Sequence, residues 1–113
     1  NKGKDMAQDF ERNIARNVGT SAVTIFTADS DDAVVGINIA NVTSSQIKVD
    51  VYVSFSSADY YIVKNVPVPA SSSLQVLDGG AKFVLQSGDA LKVISDTATS
   101  ADVWVSRVDS IST

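Results

Sequence analysis

The chain has 113 residues, the usual size of one domain, and this allows one modest hydrophobic core. It contains no cysteine and no histidine, which excludes disulfides, thiolate catalysis and zinc sites built from Cys and His. The net charge of −4 argues against wrapping of nucleic acid, and no apolar run approaches the length that spans a bilayer. We therefore expect neither a nucleic-acid partner nor a membrane segment.

The chain is predicted to begin with a short amphipathic helix over residues 6–18. Met6, Phe10, Ile14 and Val18 recur every four residues and would lie along one stripe of a helix. A helix of about three turns is marginal alone in water, so its apolar stripe needs a surface to pack against.

Residues 20–113 are predicted to form one β domain, with residues 1–19 as an N-terminal arm. From residue 20 onward apolar and polar side chains alternate, and β-branched residues are abundant. Polar or glycine-containing turns separate eight such segments. The predicted strands are residues 22–27, 33–42, 47–55, 60–66, 74–77, 82–85, 90–95 and 101–111.

This spacing of short strands favours an all-β fold, an antiparallel β-sandwich of about eight strands with jelly-roll or Ig-like connectivity. The clearest strand is residues 47–55, where Val51 belongs to an apolar row that is expected to face the core. Pro67 and Pro69 cannot donate to a ladder, so residues 66–70 are expected at a sheet edge or a crossing between sheets.

No catalytic arrangement emerges from the sequence. A serine nucleophile needs a base within reach, and histidine is absent. Residues 29–32 form an acidic loop that could offer oxygens to a weakly held cation, but it lacks the spacing of a calcium loop and is interpreted as a solvated turn. Asn41-Val42-Thr43 fits the N-glycosylation pattern and is interpreted as a chance match. We predict no enzyme activity, no cofactor and no metal site.

Large aromatic side chains occupy strand positions whose neighbours are polar. Tyr52 and Trp104 each alternate with valines on the expected core side. Either the N-terminal helix or a loop covers these rings, or both faces of the last strand are buried. The other interpretation is that the rings mark protein–protein contacts, where aromatic residues are enriched. The residues predicted to take part in interactions are Met6, Phe10, Ile14, Val18, Tyr52, Tyr60 and Trp104.

Several segments in a fixed order carry a resemblance to a known class of proteins. They are Asp9-Phe10-Glu11-Arg12, Arg16-Asn17-Val18-Gly19-Thr20, and residues 35–42, 61–70 and 83–93. In this order they resemble the small β-sandwich structural proteins of tailed-bacteriophage virions, which decorate heads or build necks, tails and fibre attachments. The resemblance extends from about residue 7 to residue 111 and includes no catalytic signature.

The resemblance implies a non-enzymatic virion structural protein that is assembled in the cytoplasm of a bacterial host. Its expected partners are other virion proteins, in a homo-oligomer or another symmetric assembly. Four of the nine cations lie within residues 1–16 and the rest of the chain is acidic, which favours docking of the arm on a neighbouring subunit. The alternative function is a carbohydrate- or ligand-binding β-sandwich, whose outward Tyr and Trp rings would stack on the ligand.

Overall fold

The computed structural model describes residues 9–77 and 82–109. These residues form strands and no helix, so they include no helix that could cross a bilayer. The all-β prediction is confirmed. The strands are β1 (Asp9–Val18), β2 (Val23–Thr27), β3 (Asp32–Asn41), β4 (Ile47–Phe55), β5 (Ala58–Val68), β6 (Ser73–Gln75), β7 (Phe83–Leu85), β8 (Ala90–Ser95) and β9 (Ala101–Asp109).

The strands form two antiparallel sheets. Sheet 1 has the order β1-β9-β3, and both β6 and β7 pair with the far side of β3. Sheet 2 has the order β2-β8-β4-β5. The edge strands β1 and β2 therefore lie on one side of the molecule, and β5, β6 and β7 lie on the other. Pro67 is in β5, so the predicted edge position is confirmed.

The core lies between the sheets and is built from β-branched side chains. In β4, Ile47, Val49 and Val51 are buried, so the predicted inward row is confirmed as far as Val51, whereas Phe55 at the strand end is exposed. The alternation places the branched side chains on one face, and their burial is worth about 1.5–3 kcal/mol each. Sheet 1 contributes Val34, Ile37, Ile39, Val103 and Val105 to the same cluster.

The predicted N-terminal helix is wrong over Asp9–Val18, which forms strand β1. Phe10 and Ile14 share a face because a spacing of four is also a multiple of the two-residue strand period. Val18 is in the core instead. Asn17 adopts a left-handed φ of 57° and the register with β9 shifts nearby, so the alternation is broken before Val18.

The predicted boundary at residue 19 falls in the turn between β1 and β2, and Gly19 is required there by a close backbone approach. A Cβ at Gly19 would lie 3.0 Å from the backbone nitrogen of Thr99. The Ser95 N–H donates to the Gly19 carbonyl at 2.9 Å, and the Ser100 N–H donates to the Val18 carbonyl at 3.0 Å. These bonds tie the turn to the residues around Ser95 and Ser100.

A β-bulge in β3 turns one valine out of the core. Val34 and Gly36 pair with consecutive residues of β9, so Val35 is the extra residue between them. Val34 and Ile37 are both buried, whereas Val35 is exposed. Simple alternation would have placed Val35 inward together with Ile37.

Asn41 joins the two sheets at one end of the sandwich. Its side-chain Nδ2 donates to the carbonyl oxygens of Ser45 at 2.8 Å, Val68 at 3.0 Å and Pro69 at 3.2 Å. Its Oδ1 accepts hydrogen bonds from the backbone N–H and the hydroxyl of Thr43. The amide is buried and satisfied on both of its atoms, which is what a buried polar group requires.

Candidate assembly surface

The outer face of sheet 1 exposes apolar side chains along β1 and β9. Phe10 is 84% exposed and Trp104 is 49% exposed. Trp104 is the cross-strand neighbour of Ile14, which is also exposed, and side chains at such positions are in contact range. The guanidinium carbon of Arg12, on the same face, lies 5.3 Å from the centre of the Trp104 ring. We name Phe10, Arg12, Ile14 and Trp104 the β1 face.

An apolar row continues from the β1 face across sheet 1. Phe10 pairs with Val108, Val108 pairs with Ala33, and Ala33 pairs with Val84 of β7. Residues directly opposite each other project to the same face of a sheet. Open grooves of about 510 and 310 Å³ are both lined by Trp104. Ala33 is buried, so the exposed parts of this row are the β1 face and Val84 at the far edge. Large exposed apolar side chains beside an open groove mark the β1 face as a candidate interaction site.

A second apolar surface lies on the opposite side of the molecule, where β5 and β7 border a cleft of about 340 Å³. Four aromatic side chains and Asp89 line it, and Asp89 Oδ2 accepts a hydrogen bond from the Gln86 N–H at 2.9 Å. Tyr60 is 61% exposed. We name this set the aromatic cleft; its rings are those of Phe55, Tyr60, Tyr61 and Phe83.

Tyr52 lies beside the aromatic cleft but is covered. It is only 8% exposed, and its ring centroid is 5.1 Å from that of Tyr61. Burial raises the pKa of Tyr52, and the negative charge of Asp59 raises it further, so its phenol stays neutral at physiological pH. Lys64 Nζ lies 4.2 Å from the centre of the Tyr61 ring, which shows that this ring accepts a cation.

A polar cluster centred on Arg107 joins three strands of sheet 1. Its guanidinium donates to Asn13 Oδ1 at 2.8 Å, to Asp32 Oδ2 at 2.9 Å and to Glu11 Oε1 at 2.7 Å. Asp32 is fully buried, and the guanidinium carbon lies 4.4 Å from the centre of the Phe26 ring. The cluster thus ties β1, β3 and β9 together over the edge of the core.

The same cluster decides how the acidic loop is interpreted. Asp29, Asp32 and Asp109 bring carboxylate oxygens within 4.8 Å of one another, which is close enough to hold a cation. Arg107 Nη1, however, lies 2.9 Å from Asp32 Oδ2 and 3.7 Å from Asp109 Oδ1. The guanidinium supplies the positive charge that a metal ion would supply, so the arrangement favours a polar turn.

Neither a protein-family model nor a curated protein matches the sequence. Several solved structures share the fold, including the following two. One belongs to the disulfide-linked pili that form Bacillus endospore appendages, with a TM-score of 0.54 and 14% identity over 90% of this chain and 84% of that chain. The other is a pentameric capsid protein isolated from metagenomic phage sequences, with a TM-score of 0.51 and 18% identity. The match covers 87% of this chain and 63% of the capsid protein, less than two thirds of its length.

Four of the predicted interaction residues lie on these two surfaces. Phe10, Ile14 and Trp104 come together on the β1 face, although the helix that suggested the first two is a strand. Tyr60 is in the aromatic cleft on the opposite side. The proposed interactions of these residues stay predictions.

Two of the other three predicted residues belong to neither surface, and the third lies outside the described part of the chain. Val18 is in the core, Tyr52 is covered, and Met6 lies outside the described residues. Sequence reasoning missed Val84 and Val108. The exposure of Val84 could have been predicted, because β7 has three residues and adjacent strand residues point to opposite faces. Since Leu85 faces the core, its neighbour Val84 must face outward.

Proposed function

We propose that this chain is a non-enzymatic structural subunit of a tailed-phage virion, assembled in the bacterial host. It would associate with copies of itself and with other virion proteins through its outward apolar surfaces. The exposed β1 face is the observation that carries this proposal. Phe10, Ile14 and Trp104 are large and apolar, and burying each one between subunits is worth about 1.5–3 kcal/mol.

The strand order supports the structural role. One sheet has the order β1-β9-β3, with β6 and β7 beside β3, and the other has the order β2-β8-β4-β5. These orders match jelly-roll connectivity, which occurs in viral capsid and lectin domains. The two similar structures come from a pilus and a phage capsid. This chain has no cysteine, so its assembly would be non-covalent, unlike that of the disulfide-linked pili.

The composition of the surfaces supports a role without catalysis. The chain has no histidine and no cysteine, which are the common base and nucleophile at neutral pH. Each groove beside Trp104 contains one carboxylate, Asp102 in the larger and Glu11 in the smaller, next to an arginine, and the aromatic cleft contains one carboxylate, Asp89. Such linings suit protein contact better than acid–base chemistry.

Self-association of the purified full chain tests the proposal. We expect sedimentation velocity to show concentration-dependent oligomers and negative-stain microscopy to show rings, tubes or closed particles. Ile14→Asp should weaken association because it places a carboxylate in the apolar β1 face, whereas Val42→Asp changes an exposed valine outside both surfaces and serves as the control. A chain that stays monomeric at millimolar concentration would contradict the proposal.

The aromatic cleft favours a second candidate function, carbohydrate binding. Exposed aromatic rings beside a carboxylate can stack on a sugar ring and accept hydrogen bonds from its hydroxyls. A glycan array probed with the full chain and with Tyr60→Ala separates the two functions. Glycan binding by a monomer that Tyr60→Ala abolishes would replace the structural role by this one.

A further inference from the structure

The β1 face and the aromatic cleft lie at opposite edges of the same molecule. β1 is the first strand of sheet 1, and β7, which borders the cleft, pairs on the far side of β3. Three strand spacings of about 4.8 Å separate these edges. A copy placed against one edge therefore leaves the other edge free for the next copy.

The two surfaces complement each other in chemistry. The β1 face presents Phe10 with Arg12 beside it, and Arg16 follows on the same strand. The cleft offers exposed rings and the Asp89 carboxylate. An arginine and an apolar side chain can both be accommodated there, since aromatic rings bind cations as well as apolar groups.

Charge disfavours contact between two β1 faces. A two-fold contact would bring Arg12 and Arg16 of both copies together, and like charges placed opposite each other are destabilising. Residues 20–113, by contrast, hold ten carboxylates against five cations. Two of these carboxylates, Asp59 and Asp89, lie beside or within the cleft, where the neighbouring cation is Lys64 over the Tyr61 ring. The complementary partner of the β1 face is therefore the opposite edge of another copy.

We propose that the β1 face of one copy docks into the aromatic cleft of the next, with Phe10 among the rings and Arg12 directed toward Asp89. This inference rests on the proposed function and specifies its contact. A head-to-tail contact of this kind repeats, and it forms a ring if the rotation between copies closes or a filament if it does not.

A mixing experiment with two variants tests the contact. Phe10→Glu disables the β1 face and keeps the cleft, whereas Tyr60→Glu disables the cleft and keeps the β1 face. Both side chains are largely exposed, so both variants should fold, and circular dichroism melting curves check this. Each variant alone should associate about 30-fold more weakly than the unmodified chain. Val42→Glu, at a residue that is 52% exposed, should associate normally.

An equimolar mixture of the two variants should regain the affinity of the unmodified chain but stop at a 1:1 complex, because only one intact pair of surfaces is present. Normal self-association of Tyr60→Glu, or a mixture that stays monomeric, would overturn the docking mode and leave the structural role standing. Failure of the unmodified chain to associate at millimolar concentration would overturn both.

Discussion

Replacing Arg107 by methionine should remove much of the stability of the fold. The guanidinium is a cation 2.9 Å from Asp32, which is fully buried, and removing one partner of a buried ion pair costs about 3–5 kcal/mol. Loss of the stacking on Phe26 adds about 1 kcal/mol. The contact with Glu11 adds little, since that carboxylate is exposed. A total of about 4–6 kcal/mol is a large share of the roughly 5–15 kcal/mol that stabilises a domain.

Thermal unfolding followed by circular dichroism measures this loss. At about 4 °C per kcal/mol, Arg107→Met should lower Tm by about 15–25 °C. Adding Asp32→Asn to the same chain should restore about half of the loss, because it removes the buried charge itself. Arg16→Met, on the exposed side of β1, is the matched control and should change stability by less than about 0.5 kcal/mol. A loss below about 1 kcal/mol for Arg107→Met, or no rescue by Asp32→Asn, would refute the reasoning.

Three further predictions concern the fold. Val51→Asp places a carboxylate in the core and should cost about 3 kcal/mol or more, so a Tm close to that of the unmodified chain would contradict the assignment of β4. Gly19→Ala should cost about 1–3 kcal/mol because its Cβ would meet backbone atoms; an unchanged urea midpoint would show that the turn can move. A hydrogen bond from the Lys48 N–H lowers the pKa of Asp96 below its usual 3.8. The ionised Asp96 therefore stabilises the fold fully above pH 3.8, and this stabilisation is lost as the pH falls through the pKa of the folded state. Asp96→Asn should therefore flatten the acid limb of a plot of Tm against pH, and an unaltered limb would contradict this.

The sandwich strands could be predicted from the sequence because two local signals agreed along most of the chain. The two-residue alternation and the flanking turns predict strands at residues 47–55 and 90–95. These are the bounds that β4 and β8 have in the structure. The partners of these strands could not be predicted, because nearly every pairing joins distant parts of the chain. Among the strands of residues 9–77 and 82–109, only the hairpin of β4 and β5 is local.

The error at β1 arises from a spacing that two structures share. Side chains at Phe10 and Ile14 lie on one face of either a helix or a strand, and the charged residues between them favour neither. Pairing with β9 decides for the strand, and that pairing is invisible in the local sequence. The exposure of Phe10 and Ile14 on one face was therefore predicted on the wrong element, and their role in interactions stays a prediction. The aromatic cleft depends on two edges that the fold brings together.

The bridge made by Asn41 has a consequence for how the protein can be produced. Asn41-Val42-Thr43 is an N-glycosylation acceptor, and a glycan would be attached to the same Nδ2 that donates to the carbonyls of Ser45, Val68 and Pro69. In a eukaryotic secretory host, modification and folding therefore exclude each other: a folded chain hides the acceptor, and a chain modified first cannot close this end of the sandwich. Thr43→Ala removes the acceptor pattern and keeps the Asn41 donors; Oδ1 loses the bond from the Thr43 hydroxyl and keeps the bond from the Thr43 backbone N–H. It is therefore the suitable variant for such a host.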